Sequence, residues 1–391
     1  MYIRFLFLLS TLLIVGCSTA PNEPGYRASN SSLPLGQSSF AEYEAQTRQW
    51  LASNRYFITT QVDAELGANS PYELIPESPV MPSRGVLLAH GLLDSPFSFI
   101  DIGKKLQGMG FTVRTVLLEG HGSKPADLLA TDVDNWRRLI KEQVAILKQD
   151  VDEVYLGGFS TGGNLATAYA LNDDDIEGLI LFSPGFKSVN TSYDGLAPLA
   201  PLVSLFKPWF YTPTMQYQTN YVRYITGPSN AYAQYYQTSK AVLELLESKA
   251  FTKPAFIAVS ETDSIIDAAR TLDLFERKFT HSDSRLIWFG DDPQSVDSRV
   301  MVFSGRVPEY QVSNFSHMGL LFAPSNPYYG PNGQQRFCAN GQSRAAYRRC
   351  LERKPTWYSA YGYYEPDKDH TRLTFNPWFD EMIDSIYQVF F

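Results

Sequence analysis

Only three cysteines and five histidines occur among the 391 residues, and they do not cluster. No histidine sits at ligand spacing from a cysteine pair, so the sequence supports no structural metal site. Positive charge is also scarce: 33 Lys and Arg face 41 Asp and Glu, a formal net charge of -8. Nucleic-acid binding needs clustered cations to neutralise phosphates. The one short basic stretch, "SRAAYRRCLERK", alternates with apolar residues and reads as a solvated helix face, so no nucleic-acid partner is expected. Internal repeats are absent, and past the first sixteen residues no run is apolar enough to span a bilayer. What is abundant is core-forming material: 44% hydrophobic and 14% aromatic residues exclude a disordered chain and suit one elaborated domain, or one with an insertion.

The opening residues 1–16, "MYIRFLFLLSTLLIVG", join a single Arg4 to a short apolar core and are expected to be an export signal, outside the fold. "IVGC" then resembles the lipobox of bacterial lipoproteins, in which the cysteine, here Cys17, is acylated and becomes the mature N-terminus. Ser18 resembles the outer-membrane sorting class. The expectation is a lipid-anchored protein of the bacterial cell envelope, at the outer membrane, whose acyl chains each contribute about 0.8 kcal/mol per buried CH₂. Residues 17–39, rich in Ser, Pro, Asn and Gly, are expected to form a flexible tether, with the folded body starting near Phe40. Cys338 and Cys350 then remain, an even number in an exported chain, and are expected to form a disulfide.

Along the body, the apolar runs "GVLLAHG", "FTVRTVLLEG", "EVYLGGFS", "GLILFSPG" and "AFIAVSETD" alternate with helical patterns. That order predicts an α/β fold with a mostly parallel sheet covered on both faces. "SPFSFIDIGKKLQGMG" reads as a helix ending at Gly110, and "TDVDNWRRLIKEQVAILKQD" as one that starts behind a capping Thr or Asp, with Trp136 in the core. About residues 187–253 are too long for a connecting helix alone, and their density of aromatic side chains suggests a cap over an apolar cleft. An excess follows from about His281 to Pro308, and a tyrosine-rich extension runs over about residues 323–391.

The stretch "YLGGFSTGGNLATAYAL" sets Ser160 between Gly158 and Gly162, with a buried-strand pattern before it and a helix after it. A strand that reverses sharply into a helix crowds the backbone so closely that only glycine fits on either side of the turn. The competing reading is a serine that merely caps the helix. A serine hydroxyl is a poor nucleophile at neutral pH and needs a base, which in turn needs an orienting acid. Asp263 stands just past a strand, with Asp267 and Glu261 as rivals, and His317 lies in the loop after an apparent strand in "EYQVSNFSHMGL". Two backbone amides, of Leu92 in "LAHGLLDSP" and of Thr161 after the serine, are placed to hold an oxyanion, while His90 is expected to stabilise the loop.

Taken together, "HGLLDSP", "LLEGHGSKP", "GFSTGG", Asp263 and His317 resemble the α/β-hydrolase subgroup that contains monoacylglycerol lipases and bacterial carboxylesterases, over roughly residues 84–320. The resemblance implies a serine esterase with Ser160 as nucleophile, Asp263 as acid, His317 as base and Leu92 and Thr161 as oxyanion donors. The implied substrate is a small-molecule or lipid ester, and neither a metal nor an organic cofactor is implied. Glu119, where many relatives have Asp before "GHG", the long stretch from Asp263 to His317 and the extended C-terminus depart from the common pattern. Two rival functions are an amidase or peptidase using the same triad, and a non-catalytic binding protein on a hydrolase scaffold.

Overall fold

A computed structural model describes residues 24–78, 81–189, 209 and 218–391. The expected signal and Cys17 lie outside the described residues, as do 190–208 and 210–217 of the expected cap. Among the described residues one eight-stranded sheet dominates: β1 Glu73–Leu74, β2 Arg84–Ala89, β3 Phe111–Val116, β4 Glu153–Phe159, β5 Ile176–Phe182, β6 Ala255–Ser260, β7 Arg285–Phe289 and β8 Val300–Phe303. Its order is β1-β3-β2-β4-β5-β6-β7-β8. The short β1 runs antiparallel to β3, and every other pairing in the sheet is parallel.

Strand runs such as "GVLLA" are continuously apolar because helices cover both faces. Successive residues still take opposite sides. Leu87, Leu156, Leu179, Leu181 and Ile257 join the core on one face, whereas Val86, Leu88, Ile180, Phe182 and Phe256 join the core on the other. The first face is covered by α4 Val133–Asp150 and α5 Thr161–Ala170, the second by α3 Ile100–Gly108 and, from the far end of the chain, α9 Phe379–Phe390. Helices α1 Phe40–Asn54 and α2 Val62–Asn69 precede the sheet. In α4 the Asp132 carboxylate accepts from the Asp134 amide at 2.9 Å, the cap expected from "TDVD". Parallel register brings Ala89 beside Gly158 and Phe159 beside Phe182, so the carboxyl ends of β2, β4 and β5 emerge together along one edge. That edge is where an open parallel sheet places its ligands.

Three expectations are corrected. Residues 24–39 do not hang free: Ser29 donates from its amide and hydroxyl to Asp127, Trp50 Nε1 donates to Ser31 Oγ, and Leu33 is buried. Bonds of Ser29, Ser31 and Gly36 with the body tie the segment down, although much of it stays exposed. Helix α6, Ser229–Ser248, which lay inside the expected cap, packs Ala231, Val242 and Leu246 into the same core as Leu165 and Ala166. It is the crossover helix that parallel β5 and β6 require. The apparent strand before His317 is not one: Val312 makes only isolated bridges, to Val307 and Tyr358, and the last strand of the eight-stranded sheet is β8, within the excess between His281 and Pro308. The extension, whose role the sequence did not show, is integral to the fold, because α9 buries Phe379, Met382, Ile386 and Val389 against the sheet. Cys338 is bonded to Cys350 of α8 Arg344–Leu351, near the two-stranded ribbon of β9 Trp357–Ser359 and β10 His370–Arg372.

Candidate active site

Between β4 and α5 the chain reverses at one residue. Ser160 has φ 54° and ψ -114°, a conformation that costs a non-glycine residue about 1–3 kcal/mol. Its neighbours explain why the turn needs glycine. A Cβ on Gly162 would collide with the carbonyl of Ala89, and one on Gly158 with the backbone of Gly162 itself. The helix-cap reading of Ser160 fails, because its side chain makes no capping bond. Backbone bonds fix the residue instead: its amide donates to Phe182 O at 3.1 Å and its carbonyl accepts from Gly185 N at 2.9 Å. With 4% of its surface exposed, Ser160 is buried under its surroundings.

The expected acid and base meet as a pair. Asp263 Oδ2 lies 2.6 Å from His317 Nδ1, and Asp263 Oδ1 accepts the amides of Ile265 at 2.8 Å and Ile266 at 3.0 Å. With its side chain fully buried, the carboxylate has one oxygen held by backbone and the other left for the imidazole. Both rivals are engaged elsewhere. Asp267 caps α7 Ala268–Lys278 by accepting from Arg270 N and pairs with Lys187, while Glu261 accepts from the Asp291 amide. The imidazole of His317 packs on the ring of Phe159, centroids 4.8 Å apart, which sets it beside the residue that precedes Ser160.

A second tie, not anticipated from the sequence, locks the base loop to the acid loop: Ser260 Oγ and Thr262 Oγ1 both donate to Phe315 O, at 3.0 and 2.8 Å. "VSETD" carries that signal, two hydroxyls at alternate positions at the end of a buried strand.

Leu92 and Thr161 flank the same edge. Thr161 opens α5, and the amides of a helix's first turn have no acceptor within the helix. Leu92 precedes Leu93, whose φ of 64° turns the loop, and Leu93 N donates to His121 Nε2 at 3.0 Å. His90 and His121 stack edge to face, centroids 4.9 Å apart. Burial pushes both imidazoles down, His121 to about 4, and His90 is held well below its ordinary value by burial and by the neighbouring His121. Neutral rings are required here, since His90 Nε2 and His121 Nε2 each accept a backbone amide, of Leu118 and Leu93. They brace the loop, as expected for His90. Among the described residues no cluster of His, Cys, Asp and Glu could hold a metal ion, and no helix is long and apolar enough to cross a membrane.

A mostly parallel sheet flanked by helices, with a serine on a strained turn at its carboxyl edge and an Asp–His pair on the loops beside it, defines an α/β-hydrolase fold. Within that class the chain belongs to the serine aminopeptidase S33 family, which it matches over residues 81–290. It is similar to a thermostable monoacylglycerol lipase of Bacillus sp. (strain H-257), with 32% identity over 96 residues. That match covers 25% of this chain and 38% of the lipase, so the chain spans well under half the length of this curated relative. Among solved structures, a Paleococcus ferrophilus monoacylglycerol lipase aligns with 19% identity and a TM-score of 0.47, over 57% of this chain and 92% of that one. A soluble variant of the Saccharomyces cerevisiae monoglyceride lipase aligns with 17% identity and a TM-score of 0.44, over 59% and 85%.

Proposed function

We propose that the chain is a serine hydrolase of carboxylic esters, with lipid esters as its substrate class. The observation that carries this reading is the Asp263–His317 pair at 2.6 Å, packed on Phe159 next to a serine held at φ 54°. In the proposed reaction Ser160 Oγ attacks the ester carbonyl while His317 Nε2 takes its proton, and Asp263 steadies the imidazolium through Nδ1–H. The amides of Leu92 and Thr161 receive the oxyanion of the tetrahedral intermediate. Collapse expels the alcohol, which takes the proton from His317. Water, deprotonated by the same imidazole, then attacks the acyl-enzyme and releases the acid and Ser160. The similarity to a monoacylglycerol lipase supports the ester reading. Labelling with a fluorophosphonate probe tests it: Ser160→Ala should lose all labelling and His317→Ala nearly all, whereas equal labelling of the three proteins removes the proposed site.

The family's own description favours a second reading, cleavage of aminoacyl amides by the same triad. Comparing acyl esters with aminoacyl amides of equal size separates the two, and turnover confined to amides rejects the ester assignment. The protein is further proposed to act at the bacterial outer membrane, tethered through acylated Cys17, on the strength of "IVGC" after an apolar leader. Incorporation of a palmitate analogue that disappears in Cys17→Ser supports this, and incorporation that persists rejects it.

A further inference from the structure

Beside the proposed catalytic centre lies a guanidinium pair with too little negative charge around it. Arg223 is carried by the segment that returns toward α6, and two hydrogen bonds clamp that segment to the loop bearing Leu92: Ser95 Oγ donates to Val222 O at 2.6 Å and Tyr224 N donates to Leu93 O at 2.7 Å. Between these clamps, Arg223 reaches across to the base loop, with Nη1 3.2 Å from the sulfur of Met318, the residue after His317. Its nearest carboxylate, Asp94, is 3.9 Å away, beyond hydrogen-bond length. Arg372 approaches from the C-terminal extension. Both guanidiniums lie against the ring of Phe337, at 5.6 and 5.9 Å from its centroid.

The two cations are poorly compensated. The Nε of Arg223 and that of Arg372 are buried without a hydrogen-bond partner, and among the described residues Arg372 forms no ion pair. Arg372 Nη2 does donate to Ala339 O at 3.1 Å, but a donor shut off from solvent, as both Nε atoms are, normally finds an acceptor of its own. Asp94, the one carboxylate within ion-pair distance of Arg223 among the described residues, is buried, and that burial pushes its carboxyl up from the usual range. The planar fork of donors on arginine matches the paired oxygens of a phosphate or carboxylate. Arg223 is tied through its chain neighbours to the loop bearing Leu92 and touches the residue after His317, so an anion held by it lies alongside both loops.

We propose that Arg223, supported by Arg372, binds an anionic oxygen group, phosphate or carboxylate, carried by the ester substrate close to its scissile carbonyl. This rests on the ester-hydrolase reading above and narrows its substrate class from lipid esters in general to anionic ones. The test compares three water-soluble butyryl esters: monobutyrylglycerol, its 3-phosphate, and the O-butyryl ester of glyceric acid. The expected result is a kcat/KM at least tenfold higher for one or both anionic esters than for the neutral glyceride, the phosphate and carboxylate arms telling which anion is preferred. Arg223→Gln should reduce that ratio at least tenfold and Arg223→Lys, which keeps a point charge, should reduce it less. Arg348→Gln, on the exposed face of α8, should leave the ratio unchanged. A neutral glyceride cleaved as fast as both anionic esters, or a ratio indifferent to Arg223→Gln, overturns the proposal. Inorganic phosphate gives a readout that needs no turnover: it should raise the Tm of Ser160→Ala but not of Ser160→Ala/Arg223→Gln. If no ester is cleaved yet the phosphate shift depends on Arg223, the ester assignment fails and the anion site stands. If esters are cleaved without charge preference and phosphate has no effect, the anion site alone fails.

Discussion

Asp263 touches His317 through one carboxylate oxygen at 2.6 Å, while its other oxygen is occupied by two backbone amides, so the acid cannot turn away from the imidazole without breaking both bonds. Asp263→Asn would offer an amide in place of the acceptor that selects the imidazole's tautomer. Turnover of a butyryl ester should fall about 10³- to 10⁴-fold with little change in stability. Asp267→Asn should leave the rate within a few-fold, since that side chain caps α7 and pairs with Lys187. Full activity in a folded Asp263→Asn protein would reject the assignment.

Replacing Gly162 by alanine drives a methyl into the Ala89 carbonyl, with backbone on both sides unable to yield. The expected destabilisation is about 3 kcal/mol or more in urea unfolding, together with loss of fluorophosphonate labelling. Gly67→Ala is the contrasting case. It lies on the exposed side of α2 with nothing within 4 Å of the added Cβ, and it should stabilise by about 0.5–1 kcal/mol. Equal effects at the two positions would mean that crowding is not what dictates glycine at the turn.

How far the sequence could be read depended on whether a feature is local. Strands β2 to β6 are visible as apolar runs because burial on both faces removes polar alternation, and the serine turn is visible because its steric demand falls on residues two positions away. By contrast, β8 is four partly exposed residues at a sheet edge, with too little burial to pattern "VMVF". "EYQVSNF" imitates a strand because Val312 and Phe315 are buried by loop packing, not by a ladder. The choice between Asp263 and Asp267 was in fact written locally, since Asp267 immediately precedes the helical "AARTLDLF" and so occupies a cap position. Arg223 had no such signal. In sequence it sits among aromatic residues, and its surroundings come from Asp94, Met318, Phe337 and Arg372, which only the fold brings together.

Acid should weaken the fold through the two buried histidines. His121, ordinarily at 6.5, is held at about 4, and His90 is held lower than its ordinary value. Because these folded-state values are depressed, the unfolded chain binds the proton first, so the contribution of each ring is fully present above about pH 6.5 and declines below it, that of His121 being lost as pH falls toward 4. For His121 the depression corresponds to about 3 kcal/mol. The urea midpoint of the parent should therefore drop more steeply between pH 7 and pH 4.5 than that of His121→Asn, in which the titrating ring is gone. Parallel pH profiles for the two proteins would show that His121 is not held neutral by burial.

The disulfide should matter because little else holds α8. Of that helix only Ala346 and Cys350 are buried, and its Arg349–Asp369 ion pair is half exposed on the arginine side, an arrangement worth at most about 1 kcal/mol. Cys338 and Cys350 are separated by 12 residues, and closing a loop of that size removes about 3 kcal/mol of chain entropy from the unfolded state. Reductant should thus lower the urea-unfolding stability of the parent by about 2–4 kcal/mol and have no effect on Cys338→Ala/Cys350→Ala, which should already match the reduced parent. Because Phe337, on which Arg223 and Arg372 rest, adjoins Cys338, the loss should begin in the extension, as faster amide exchange there than in β4. A parent whose stability ignores reductant would show that packing of the extension, rather than the cross-link, holds this part of the chain in place.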